Sequence, residues 1–285
     1  MKQMSLIRRR SLLAAPLLLG ASSMLAQMPR PLLIAVPPFL SPSAALAAFR
    51  PLRQHLESQL KQPVELYTAR DFRELVEQTR RGEHDVTLLP AHLAGLALSD
   101  WGFQALAATV EATPVLILLR QGSVIKTAAE LRGKRMGMLG RLSLTTAVAS
   151  LWLRQQQLEP GRDLTVVTQP SMSSAVISLE QGDVEAIAVT RTQLNLMPPG
   201  SPGGQMTLAE LSDIPTPIYI ARPSTPVAEL GRLRRAWHSF VPDPAAPQTV
   251  VNSQLHEIAR ADLQRAARYR EVALQQLEAA GLSTR

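Results

Sequence analysis

The chain has 285 residues, 46% of them apolar and 4% aromatic, with no cysteine and a formal charge of +7. The missing cysteine excludes disulfides, thiol nucleophiles, thiolate metal ligands and a lipid-bearing leader, and so few aromatics leave little to stack on single-stranded nucleic acid. Four of the positive charges (Lys2, Arg8, Arg9 and Arg10) lie within the first ten residues, which leaves +3 for the rest, scattered apart from Arg232, Arg234 and Arg235 on what reads as a solvated helix face, so no nucleic-acid partner is expected.

Those four charges open a leader. An apolar run from Leu12 to Ala21 follows, then small and polar residues ending Leu25-Ala26-Gln27. This is the layout of a cleavable signal peptide over residues 1–26, with an apolar core too short to span a bilayer. Arg9-Arg10-Ser11-Leu12-Leu13 also resembles a twin-arginine leader. Export to the periplasm is expected, without a lipid anchor. About 259 residues follow a cut at Ala26, enough for one large domain or two lobes.

Short β-type runs then alternate with helical ones. Leu32 to Val36 is a continuous apolar run stopped by Pro37-Pro38, and it reads as a buried strand. Leu52, Leu56 and Leu60 recur every four residues behind Pro51, which predicts a helix with proline in its first turn. Val64 to Tyr67 reads as a strand. Asp71-Phe72-Arg73-Glu74 has capping-box spacing and opens a helix to Arg80, closed by Gly82. Strands are predicted at Val86–Leu89, Phe103–Val110 and Pro114–Arg120. A second capping box, Thr127 to Glu130, precedes Gly133. A strand at Met136–Leu139, a helix at Ser143–Gln157, a strand at Leu164–Thr168, a helix at Ser174–Gln181 and a strand at Ala186–Thr190 follow. Met197 to Gln205 is rich in Pro and Gly and reads as a loop. A strand at Ile214–Ala221 and two helices, Val227 to Phe240 and Gln254 to Ala280, finish the chain.

Strand–helix alternation predicts an α/β fold whose mostly parallel sheets are flanked by helices. Its repetition predicts two lobes, residues 27–120 plus 214–285 and residues 121–213, joined by two crossing strands that act as a hinge. Ligands are expected in the cleft between lobes.

Several pieces then resemble a known family. They are Phe49-Arg50-Pro51-Leu52 leading into Leu56-Glu57, Gly82-Glu83-His84-Asp85-Val86 with Leu89-Pro90, and Thr127 to Lys134. Ser143-Leu144-Thr145-Thr146-Ala147 and Gln181-Gly182-Asp183-Val184-Glu185-Ala186 complete the set. In this order and spacing, from about Leu33 to Val189, they resemble the type II periplasmic solute-binding proteins. Within those they are closest to the phosphate/phosphite/phosphonate-binding components of ABC transporters. The resemblance implies the two-lobed type II fold, an anionic small-molecule ligand, a membrane permease as partner, and a monomer without cofactor or metal.

Ser143, Thr145 and Thr146 stand at a predicted strand–helix turn. A helix start offers unpaired N–H groups and a positive dipole end, and three hydroxyls beside it could hold a phosphate-like or carboxylate anion. The alternative is that one of them is only an N-cap. His92 follows Leu89-Pro90-Ala91, where the family has a tyrosine facing the ligand; the alternative is a solvated helix-start histidine. Pro38, Phe39 and Leu40 form the loop after the first strand. Ser171, Met172 and Ser173 occupy the turn where the family often has a Ser-His pair, and Met172 stands in the histidine slot. Arg191 stands near where the family places an acid that meets a ligand amine; it favours an anion if it points into the cleft and is otherwise an exposed arginine. Met172 and Arg191 therefore leave the identity of the solute open.

Enzyme readings find little support. The five histidines are scattered, Glu83-His84-Asp85 sits at a glycine turn, His256-Glu257 lacks the second histidine of a zinc helix, and no nucleophile elbow or phosphate-binding glycine loop occurs. Two functions share one closure mechanism: a transport receptor that docks on a permease, and a sensing module that reports to a membrane kinase.

Overall fold

The computed structural model describes residues 30–40, 42–109, 114–191, 194, 204–212, 214–246 and 251–282. The expected leader, residues 1–26, lies outside them, as does most of the predicted loop at 197–205. No helix among the described residues is long and apolar enough to cross a membrane.

The first half of the chain runs β1 (Leu32–Val36), α1 (Pro42–Ala48), α2 (Arg50–Leu60), β2 (Val64–Thr68), α3 (Phe72–Arg80), β3 (Val86–Leu89), α4 (Ala91–Ser99) and β4 (Gln104–Thr109). Local chemistry accounts for these elements. Leu52, Leu56 and Leu60 form the buried stripe of α2, whose first turn holds Pro51. Asp71 caps α3, its Oδ1 accepting from the Glu74 amide at 2.8 Å, while the Glu74 carboxylate reaches back to the Arg70 amide at 2.8 Å.

The middle of the chain runs β5 (Val115–Arg120), a 3-10 turn (Ala128–Leu131), β6 (Arg135–Met138), α5 (Leu144–Gln155), β7 (Thr165–Thr168), α6 (Met172–Gln181), β8 (Ala186–Thr190) and β9 (Gln205–Leu211). The last part adds β10 (Ile218–Ala221), α7 (Val227–His238), β11 (Leu255–His256), α8 (Arg260–Ala267) and α9 (Arg270–Ala279).

The strands form two sheets, in the orders β11-β4-β10-β3-β1-β2 and β7-β6-β8-β5-β9. Each has a parallel core of three strands, β3-β1-β2 and β7-β6-β8, extended by antiparallel neighbours. Gly137 lets β6 pack tightly: a Cβ there would lie 3.1 Å from Ile187 on β8 and 3.3 Å from Gln169. Each sheet with its helices is a lobe, and the chain passes from the first to the second after β4 and back after β9.

Three features differ from the sequence reading. The sequence places residues through 120 in the first lobe, but β5 lies in the second sheet, antiparallel between β8 and β9. Its apolar run, Val115 to Leu119, is buried on both faces, which a central position requires. Strand β9 extends beyond the predicted Pro/Gly-rich loop, and its half-exposed pattern fits a sheet edge. The predicted helix from Gln254 to Ala280 is three elements: β11 adds an edge strand to β4, and α8 and α9 are separated at Tyr269.

The lobes also pack against each other away from the crossings. Leu142, in the loop before α5, is buried in the first lobe's cluster with Leu89, Leu93, Leu96 and Leu277. Conversely, Tyr269 belongs to the second lobe's cluster with Met138, Val148 and Leu153.

Candidate functional site

In a parallel core with order 2-1-3, the connections leaving the central strand and its late neighbour go to opposite faces. A crevice opens at the carboxyl ends between them. Both sheets have this order. The first crevice is bounded by Pro37 to Leu40 after β1 and by Pro90 and the start of α4 after β3. The second is bounded by Leu139 to Ser143 after β6 and by Thr190 and Arg191 after β8, with α6 beginning one strand away.

Helices α5 and α6 start alike. Ser143 caps α5: its Oγ accepts from the Thr146 amide at 3.1 Å and donates to Thr146 Oγ1 at 2.9 Å, which in turn donates to the Leu139 carbonyl at 2.8 Å. Ser171 caps α6 by accepting from the Ser174 amide at 3.1 Å, and its hydroxyl lies 2.9 Å from that of Ser174. The caps satisfy the third amide of each helix. The first two, on Leu144 and Thr145 and on Met172 and Ser173, have no partner within a helix, because the turn before them does not exist. Pro90 precedes α4 without a side-chain cap, so the Ala91 and His92 amides stand in the same position.

The candidate side chains therefore divide. Ser143 and Thr146 are 3% and 7% exposed, and their hydroxyls are committed to the cap and the loop. Thr145 makes no side-chain hydrogen bond among the described residues. Ser173 is exposed on the first turn of α6. Met172 is turned away, buried with Leu116, Leu118 and Val176 in the second lobe's core; α6 starts two residues earlier than predicted, which places Met172 on its apolar face. Arg191 is half exposed and paired with Glu210 on β9 across the intervening β5, so its charge is already met on the surface. Phe39 packs partly buried against the first lobe's core, its ring centroid 6.5 Å from that of Phe49.

His92 is fully buried, which neither sequence alternative anticipated. Its polar neighbours are Gln276 on α9 and the Leu142 backbone, and neither ring nitrogen reaches good hydrogen-bond geometry. Burial pushes its pKa down to about 4, with Gln276 and the Leu142 backbone opposing the shift. The sequence carried a signal for this: the α4 segment Ala91-His92-Leu93-Ala94-Gly95-Leu96-Ala97 is apolar all round, which marks a helix buried on every side.

Gln276 also lines a groove of about 250 Å³ between α5, the edge strand β7 and α9, where Arg141, Ser150, Thr168 and Gln275, which the sequence did not single out, join Thr146. Arg141 is exposed in the loop before α5.

The Glu83-His84-Asp85 triplet sits at the amino end of β3, at the opposite edge of the sheet. Asp85 accepts from Arg30 at 2.7 and 3.0 Å and from the Leu33 amide at 3.0 Å, with Arg222 at 3.1 Å. Burial opposes its ionisation, but these hydrogen bonds and charges hold its pKa below the usual carboxylate range. The carboxylate is committed to arginines.

Residues 34–265 match the model of a family described as ABC transporter, phosphonate, periplasmic substrate-binding protein. No curated protein sequence matches the chain. Among solved structures, a binding protein component of an ABC phosphonate transporter from Pseudomonas aeruginosa superposes with a TM-score of 0.72 at 15% identity, covering 88% of each chain. PhnD1 from Prochlorococcus marinus in complex with methylphosphonate gives 0.71 at 12% identity, over 87% of this chain and 98% of that one. A Xanthomonas citri protein bound to chloride ion gives 0.72 at 16% identity, over 87% and 99%. At such identities these likenesses establish the two-lobed fold.

Proposed function

This chain belongs to the periplasmic substrate-binding proteins of phosphonate ABC transporters, and we propose that it captures a small oxyanion of the phosphonate or phosphate type between its lobes and delivers it to a membrane permease. The first amides of α5 and α6, with Thr145 and Ser173 beside them, form the anion cradle on the second lobe. The loop after β1, with Phe39, and the start of α4 close over it from the first. The protein acts as a monomer, reaches the periplasm by its cleaved leader, and releases its ligand unaltered.

The observation that carries this reading is the pair of serine-capped helix starts on neighbouring parallel strands. In each, a cap takes the third amide and leaves two amides and a positive dipole end for an anion. Such a cradle needs no lysine or arginine, in keeping with Arg191 being paired elsewhere. Each amide–anion hydrogen bond contributes roughly 1.5–3 kcal/mol where charge assists it.

The test is a thermal-shift screen of the purified chain against methylphosphonate, phosphate, phosphite, short sulfonates and small carboxylates. A ligand at 100 times its dissociation constant stabilises the folded state by about 2.7 kcal/mol. Thr145→Ala combined with Ser173→Ala is expected to weaken the best ligand at least several-fold while leaving the unliganded melting temperature nearly unchanged. Unaltered affinity in that double variant would remove the helix starts from the site. Conversion of a phosphonate or phosphate ester by the protein would overturn the capture role itself.

A further inference from the structure

Leu142 belongs to the second lobe by sequence, one residue before the α5 cap, yet its side chain is 3% exposed within the first lobe's cluster. A leucine on a loop of one lobe that is buried by the other loses that burial whenever the lobes part. The His92 ring on α4 has the Leu142 backbone and the Gln276 side chain on α9 as its polar neighbours. His92 and Gln276 are both buried, and three of their polar atoms, the two His92 ring nitrogens and Gln276 Oε1, have no partner in full hydrogen-bond geometry among the described residues. Unpaired polar groups at such depth are expensive, and water reaching them on opening would relieve the cost. The joint thus combines an apolar hold with a polar weakness at the same place. That combination suits an interface with two arrangements of similar free energy.

We propose that Leu142, His92 and Gln276 form a catch between the lobes. Leu142 holds the Leu139–Ser143 loop against α4 and α9, and His92 with Gln276 is the point at which the catch gives way. The loop carries the cap of α5, so the catch sets where the first α5 amides stand relative to the first lobe. All three are positioning residues: none of their side chains is placed on the ligand, and each acts through the loop. The link to ligand binding rests on α5 being part of the anion cradle; the catch itself does not.

Because the chain has no cysteine, two introduced ones can report the separation of the lobes. Leu46 on α1 and Val124 after β5 are 51% and 86% exposed, one on each lobe. Spin labels on Leu46→Cys and Val124→Cys give the interlobe distance distribution without ligand, and methylphosphonate titration gives affinity. Leu142→Ala is expected to move the distribution toward longer distances and to weaken methylphosphonate roughly tenfold, in proportion to the fall in the competent population. Leu142→Met restores both. His92→Leu, which removes the unpaired nitrogens and keeps the packing, narrows the distribution toward the closed distance. A parent-like distribution in both Leu142→Ala and His92→Leu overturns the catch, whatever happens to affinity. Longer distances with parent-like affinity in Leu142→Ala uphold the catch and remove α5 from the ligand site.

Discussion

Acidification from pH 7 to pH 4 is expected to destabilise this protein by about 3 kcal/mol more than it destabilises the His92→Leu variant. In the unfolded chain His92 titrates near its ordinary value of about 6.5. In the folded protein, burial holds it down to about 4. Between these values the unfolded state carries the extra proton, so stability rises with pH and is lost as pH falls. The full difference of roughly 2.5 pKa units, at 1.36 kcal/mol each, is about 3.4 kcal/mol, of which about 3 kcal/mol falls between pH 7 and pH 4 because the folded-state imidazole is half protonated at pH 4. Below pH 4 the folded state also takes the proton, and the loss levels off. Urea unfolding followed by tryptophan fluorescence at pH 4, 5, 6 and 7 measures it. Subtracting the variant's curve removes the contribution of paired carboxylates such as Asp85 and Asp262, which share no hydrogen-bond partner with His92. Parallel curves for parent and variant would refute the reasoning, since they would mean that His92 keeps an ordinary pKa and is open to water.

Two further outcomes follow from the hydrogen-bond geometry. Ser143→Ala removes the α5 cap and the partner of Thr146 Oγ1, and is expected to cost about 1 kcal/mol in chemical unfolding, the usual effect of losing a serine cap. Arg191→Ala breaks an ion pair whose side chains are 46% and 44% exposed, so it should change stability by less than about 1 kcal/mol, less again at high salt, and leave anion affinity at its parent value by calorimetry.

Much of the fold was legible because its signals are local. Asp71, Ser143 and Thr127 announce helix starts by offering oxygens to amides three residues on, and the structure shows each doing so or, at Thr127, closing a 3-10 turn. Leu32 to Val36, apolar throughout, and Val86 to Leu89, apolar but for Thr87, are strands because short apolar runs of four or five residues are readily buried between helices. What could not be read depends on partners distant in sequence. Val115 to Leu119 announces a buried strand but not which sheet receives it, and its position follows from pairing with β8 and β9. The β9 strand hides behind a Pro/Gly-rich stretch and has the weak pattern of an edge. Arg191 could be placed only once its partner Glu210 lay two strands away in the same sheet. The burial of His92 was legible from the apolar surroundings of α4; its meeting with Leu142 and Gln276 was not, because three separate segments supply them.

The candidate site is built more from backbone than from side chains. The Ser143 and Thr146 hydroxyls are spent inside the α5 turn, and Met172 fills core space. What remains at the carboxyl edge of the second sheet is mostly backbone: the first two amides of each of two helices, without an intrahelical partner, oriented by caps that use serine rather than a charged residue. An amide is the same whatever residue carries it. Replacing a histidine by methionine at the first position of α6 therefore removes one side-chain donor but leaves that position's N–H, the dipole and the Ser171 cap where they were. On the proposed reading, the helix starts set the sign of the charge that the cleft prefers, and Thr145, Ser173 and Phe39 set how large a substituent the oxyanion can bear. On this view, substitutions at those three positions should reorder affinities among phosphonates, phosphate and sulfonates, whereas loss of a cap should weaken all of them together.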